Sequence, residues 1–323
     1  LNDKDNTYLL PIKDIFFDYF TALDLMTRKV NGKPMCEINK KTAAIQVTLR
    51  IPVKRNNGQE CIEYVRNYYT SNEIDTTHKN GRLVALEDDQ MPSLALMPNV
   101  QNAGIYHVGL ISSTAKLFEI HFYQGNAAVS TKENGTRNEM TDSIMHKAYL
   151  LTQNFDRIKL TDNCGNEGVI IPTMPRRAGN DSYTFAIDFG TTNTHIEYVK
   201  ENSKTIEPFT IKDEEKQLVY LTNMSDNLTH QNIFDSDLMP TLITDSGMFH
   251  FPMRTSLVAG NKTNWDTART VVDANVNFIY EKRNKRGCNE EYTNLKWSTD
   301  SHNQRQIECY IDHLFLLIRN KVL

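Results

Sequence analysis

The chain has 323 residues, 39% of them apolar and 24% charged, with a net charge of -4. That length gives room for two domains with cores of their own, and the mild negative charge lacks the electrostatic footprint of a nucleic-acid binder. No apolar run approaches the roughly 18–20 residues of a membrane-crossing helix, so no membrane-spanning helix and no membrane partner are expected.

In chain order, Pro11 to Arg28 is predicted as a helix opened by proline at its first turn. Ile12, Ile15, Phe16, Tyr19, Phe20 and Leu23 recur at three- and four-residue steps and predict one apolar face, read as core. From Thr42 the period changes to two. Ile45, Val47, Leu49, Ile51 and Val53 alternate with polar residues as a half-buried strand requires. Asn56-Asn57-Gly58 predicts a tight hairpin, with Cys61 to Tyr69 as the returning strand. Further strands are expected at Arg82–Leu86, Leu94–Met97, Ile105–Ile111, Leu117–Tyr123 and Ala148–Leu151. This is a β-rich N-terminal domain, open to a sandwich arrangement, with no catalytic constellation. His107 and His121 read as ordinary packed or edge histidines. The two prolines and polar residues of Pro172 to Ser182 predict a linker, placing a domain boundary near residue 178 and dividing the chain into 1–178 and 179–323.

The five cysteines, Cys36, Cys61, Cys164, Cys288 and Cys309, are scattered without a Cys-x-x-Cys pair and read as free thiols in a reducing, cytoplasmic compartment. The nine histidines show no metal-ligand spacing. The basic cluster Lys282-Arg283 and Lys285-Arg286 lies near Glu281, Glu290 and Glu291 and reads as a solvated loop.

After the linker, Tyr183 to Ile187 predicts a strand with Tyr183, Phe185 and Ile187 on one side. It runs into Asp188-Phe-Gly-Thr-Thr-Asn193, and a second strand leaves through Ile196 and Tyr198, followed by a third at Thr205–Ile211. Strand–turn–strand excludes a Walker-type loop, which opens a helix and carries Gly-Lys-Ser/Thr. Gly190 lets backbone approach a ligand closely and adopt angles closed to side chains. Successive turn N–H groups form an anion nest, to which the Thr191 and Thr192 hydroxyls add donors. Asp188 puts a hard oxygen beside those phosphate donors, suited to a Mg²⁺ that keeps most of its waters.

Asp188-Phe-Gly-Thr-Thr-Asn-Thr194 resembles the first phosphate motif of the ATPases that include actin, the DnaK-type heat-shock chaperones and the sugar kinases. The resemblance implies ATP and Mg²⁺ as cofactors. Asp188 would hold the metal through water, while Gly190, Thr191, Thr192 and the backbone of Asn193 would contact the β- and γ-phosphates. The chaperone form is the nearest variant; His195 stands where glycerol-kinase-type enzymes usually carry arginine. Phe251-Pro-Met-Arg-Thr-Ser-Leu-Val258 is similar to the chaperones' Arg-Thr-Thr-Pro-Ser-Tyr-Val stretch, without the internal proline. Phe278-Ile-Tyr-Glu-Lys282 matches the chaperones' catalytic-lysine segment poorly. Lys282 is read first as a surface lysine, and second as the candidate catalytic cation that orients water or stabilises charge on the γ-phosphate.

The resemblance covers residues 183–323 at most. A complete ATPase of this class needs a second Asp-x-Gly phosphate turn and a glycine-rich adenosine motif; Asp245-Ser-Gly-Met248 reads only as a hairpin turn. Ile307, Tyr310, Ile311, Leu314, Phe315, Ile318 and Val322 predict a closing amphipathic helix. The expected fold is α+β: a β-rich N-terminal domain, then an incomplete ribonuclease-H-like, actin-type ATPase lobe. The expected function is that of the N-terminal portion of a DnaK-like protein in which MgATP-driven lobe closure regulates a protein partner or client, the isolated chain being inactive. A pseudo-ATPase scaffold and a small-molecule kinase are the alternatives.

Overall fold

The computed structural model describes residues 2–3, 6–7, 12–42, 44–55, 58–69, 81–82, 92–113, 115–139, 144–165, 167–177, 181–212, 215–222, 230–231, 234, 238, 249–260, 276–278, 288–297 and 304–323. The chain is β-rich with few helices. It forms two compact units, each assembled from separate stretches: residues 1–88, 119–128 and 155–172 in the first, and 89–118, 129–154 and 173–323 in the second.

In the first unit, strands β1 (Cys36–Lys40), β2 (Ala44–Arg55) and β3 (Gly58–Tyr69) form antiparallel neighbours. The period-two run therefore becomes a strand, and its return strand pairs in full register from Ala44↔Tyr69 to Arg55↔Gly58. Residues 56–57 of the expected turn, and most of the strand expected at Arg82–Leu86, lie outside the described residues. Alternation sends Val47, Leu49 and Ile51 to one face, opposite Arg66, Tyr64 and Ile62. On the other face Arg50, only 5% exposed, is held by Glu37 at 2.7 Å and Glu63 at 2.7 Å, and donates to the Pro34 carbonyl at 2.8 Å. A buried guanidinium needs such partners, since an unpaired one carries a large desolvation cost. A second sheet of the unit orders Ala127–Val129, Phe118–Gln124, Arg157–Asp162 and Glu167–Ile170.

The helix expected from Pro11 to Arg28 is instead two short pieces: a 3-10 turn at Asp14–Asp18 and helix α1 at Ala22–Thr27. Thr21 breaks it. Its hydroxyl accepts the Asp24 N–H at 3.0 Å, and the Asp24 carboxylate accepts the Thr21 N–H at 2.9 Å, a capping box that starts a new helix. The apolar face divides accordingly. Phe16, Phe17, Ala22 and Leu25 enter a core with Val30 and Met35, against which Leu49, Ile51 and Val169 pack. Ile15, Tyr19 and Leu23 stay exposed. Arg157 lies over the Phe17 ring at 4.0 Å and the Tyr123 ring at 4.5 Å, so cation–π contacts tie the 3-10 turn to the second sheet.

The second unit holds a five-stranded antiparallel sheet ordered Thr131–Glu139, β6 (Ile144–Leu151), β5 (Tyr106–Ser113), β4 (Ser93–Met97) and Val219–Tyr220. All of β4 is buried, as its unbroken Leu94-Ala-Leu-Met97 run requires. This sheet joins strands from both sides of residue 178, although residues 178–180 themselves lie outside the described residues. The stretch read as a linker is hydrogen-bonded in place: Gln101 donates its N–H to the Pro175 carbonyl at 2.8 Å and its side-chain amide to the Met174 carbonyl at 2.8 Å.

Strands β7 (Tyr183–Phe189) and β8 (Asn193–Lys200) form a second antiparallel sheet with Glu207–Pro208, and β9 (Met253–Arg254) pairs with the start of β8. The closing helix α2 runs from Gln304 to Val322, as its periodicity predicts, except that Phe315 is exposed. Its Tyr310, Leu314 and Leu317 share one core with Ile196 and Tyr198 of β8, Met97 of β4 and Ile111 of β5. Arg319 fastens the end of α2 by donating to the carbonyls of Ala103 at 2.8 Å and Ile105 at 2.7 Å. Cys36, Cys61, Cys164 and Cys309 are not joined in disulfides. Among the described residues no helix is long and apolar enough to cross a membrane.

His107 on β5 and His313 on α2 are both buried, whereas His121 is exposed. Burial lowers each of the buried pair from the ordinary 6.5 to about 3, with the Arg319 charge adding to the effect at His107 and His107 adding to it at His313. The unfolded chain takes up these protons near 6.5 and the folded chain only near 3. The stabilisation is therefore complete above the unfolded value and lost as the pH falls through that window. The urea midpoint should fall steadily from about pH 7 to about pH 4, and more shallowly in His107→Gln than in the parent chain.

Candidate functional site

The turn between β7 and β8 is built from alternation on two paired strands. Tyr183, Phe185 and Phe189 pack against the core of the second unit, which leaves Asp188 on the opposite, exposed side of β7. Register sets Asp188 opposite His195 and Phe189 opposite Thr194. His195 Nε2 lies 3.2 Å from Glu197 Oε1, so Asp188 looks across to an imidazole–carboxylate pair. Thr191, Thr192 and Asn193 are exposed at the apex.

Gly190 is required here by crowding. A Cβ at this position would collide with the Asn193 carbonyl oxygen, whereas its φ is not among the positive ones. The expectation of a backbone angle closed to side chains is thus replaced by a close approach of one side of the turn to the other. The folded-over turn keeps its apex narrow and its two threonine hydroxyls in solvent.

Three contacts fix this turn. The Thr255 N–H donates to the Thr192 carbonyl at 3.0 Å, and Asn193 pairs with Arg254. The Trp297 indole N–H donates to Thr191 Oγ1 at 2.7 Å. An oxygen that accepts this bond keeps its own proton free to donate to an anion. Below the apex, Thr194 is fully buried; its hydroxyl accepts from the Tyr310 phenol at 2.6 Å and lies 2.8 Å from the Thr255 hydroxyl. Burial raises the Tyr310 phenol to about 12, so it stays protonated and able to donate across the ordinary pH range.

The two segments singled out from sequence, Asp188–Thr194 and Phe251–Val258, therefore meet at one turn. Lys282 and the Asp245-Ser-Gly-Met248 segment lie outside the described residues. Trp297 went unseen in the sequence: it carries no local pattern, and its contact with Thr191 spans 106 residues. Lys296 beside it holds its ammonium 5.5 Å from the centre of the Trp297 ring. Among the described residues no three His, Cys, Asp or Glu side chains converge on a metal position. Comparison with protein-family models, curated proteins and solved structures finds no match to this chain.

Thr194→Val removes the nearer acceptor of the buried Tyr310 phenol and the partner of the Thr255 hydroxyl, leaving the phenol the Arg254 carbonyl at 3.3 Å, and should cost about 1–3 kcal/mol, read as a lower denaturant midpoint. Thr191→Val, at the exposed apex, should change stability by no more than about 0.5 kcal/mol.

Proposed function

We propose that the Asp188–Asn193 turn receives the phosphates of a Mg²⁺–nucleoside triphosphate, with ATP the nucleotide that the chaperone-like motif implies. The observation that carries this reading is the pairing of Asn193 with Arg254 and the Thr255 N–H bond to Thr192. Two segments that separately resemble chaperone phosphate-site sequences are neighbours at the same turn.

In this reading the exposed Thr191 and Thr192 hydroxyls donate to phosphate oxygens, and the tight Gly190 turn lets those oxygens approach the backbone. The Asp188 carboxylate holds the hydrated cation and orients it toward the phosphates. Magnesium, when bound, supplies charge neutralisation, without which Asp188 repels the triphosphate. Trp297 keeps Thr191 turned to donate outward. In a lobe of the actin-like kind, which the motif implies, nucleotide state biases affinity for a protein client.

The turn offers few donors and stands in solvent, where its charges are screened. Binding by this chain should be millimolar. Equilibrium dialysis with MgATP, and with ATP in excess chelator, should show tighter binding with the metal. Asp188→Asn should abolish that difference, and replacing both Thr191 and Thr192 by valine should weaken both forms by about tenfold. Micromolar affinity that survives all three substitutions, or binding indifferent to both metal and Asp188, contradicts the assignment.

A further inference from the structure

The first unit contains a cavity of about 650 Å³ between the apolar face of the β1–β3 sheet and the segment carrying the 3-10 turn, within the roughly 300–1,000 Å³ that small-molecule sites occupy. Its floor is the row Val47, Leu49 and Ile51, and Phe16 and Phe20 form part of the opposite wall. The polar face of the same sheet is closed by Arg50 with Glu37 and Glu63. The apolar face is covered only in part, for Ile15 is 63% exposed, Tyr19 77% and Tyr64 58%. A hollow of this size with aliphatic and aromatic walls holds water poorly and gains free energy when an apolar group fills it.

Two cations break the apolar lining. Arg66 occupies the cross-strand position opposite Val47, and Lys13 enters from the opposite wall. Among the described residues no carboxylate lines the cavity. Neither cation has an ion-pair partner among the described residues, in contrast to Arg50 and to Lys159, which is held by Asp14 and Glu167. An apolar body with a single carboxylate matches both features: its chain fills the hollow, and its head meets the planar guanidinium that favours paired oxygens.

We propose that this cavity is a binding site for an amphipathic monocarboxylate of the fatty-acid type, a site distinct in its residues from the nucleotide turn and independent of that assignment.

The test titrates the full chain with cis-parinaric acid and, in parallel, with its methyl ester, following probe fluorescence below the micelle concentration. The acid should bind saturably at one site, at least about tenfold more tightly than the ester. Arg66→Gln, at an exposed position that the fold does not need, should bring the acid down to the ester's affinity. Val47→Phe should weaken both probes by filling the floor. Cys36, also in the wall, gives a readout independent of fluorescence, since bound acid should slow its alkylation as resolved by peptide mapping. The absence of saturable binding to the parent chain overturns the proposal. So does equal affinity for acid and ester, or an Arg66→Gln chain that binds the acid as the parent does.

Discussion

The hydrogen bond from the Tyr310 phenol to the Thr194 hydroxyl is the constraint on which the candidate site depends. Thr194 is the second residue of β8, immediately past the exposed apex, and Tyr310 sits in the middle of α2. Burying two hydroxyls is favourable only if each finds a partner, and the third hydroxyl, from Thr255, completes the set at 2.8 Å. Helix, strand and the segment after β9 are thus held to one geometry in the core. The apex above them can remain exposed and polar without losing its shape. This division of labour is what a preorganised anion site requires, because donors already in place need no reordering when the ligand arrives.

The same logic operates in the first unit with opposite polarity. Arg50 joins three parts of the sheet face through Glu37, Glu63 and the Pro34 carbonyl, a closed network with its charge satisfied. The other face of that sheet carries apolar residues by strict alternation and is only partly covered. One sheet therefore presents a finished polar side and an unfinished apolar side, and Arg66 on that side and Lys13 across the cavity have no ion-pair partner among the described residues. Both candidate sites sit where local packing stops short of complete burial, each beside a strongly fixed framework.

Much of this was legible in the sequence where one residue period dominates. The alternation of Ile45 to Val53 specifies a strand and its faces, and the steps from Ile307 to Ile318 specify a buried helical stripe. The strand–turn–strand around Asp188 to Asn193 was legible too, because Asp, Gly and paired Thr between two alternating runs is a local pattern. What escaped was set by contacts remote in the chain or by competition between local signals. The apolar repeat of Ile12 to Leu23 argues for one helix, yet Thr21 and Asp24 form a capping box that starts a new one, and a capping bond outweighs a weak propensity. Strand neighbours such as Val219–Tyr220 beside β4 follow from no short-range rule. Trp297 reaches Thr191 by tertiary folding alone, and the need for Gly190 comes from the Asn193 carbonyl across the turn rather than from its own dihedral angle.

We propose that the β7–β8 turn, held by the Thr194, Tyr310 and Thr255 hydroxyls, is where this protein meets phosphate. Backbone amide chemical-shift mapping during a MgATP titration addresses it most directly. The account predicts the largest shifts at residues 190–193, with smaller ones at Thr255 and the Trp297 indole, and no comparable change across β1–β3. Shifts concentrated elsewhere, with residues 190–193 silent at saturating nucleotide, would contradict it.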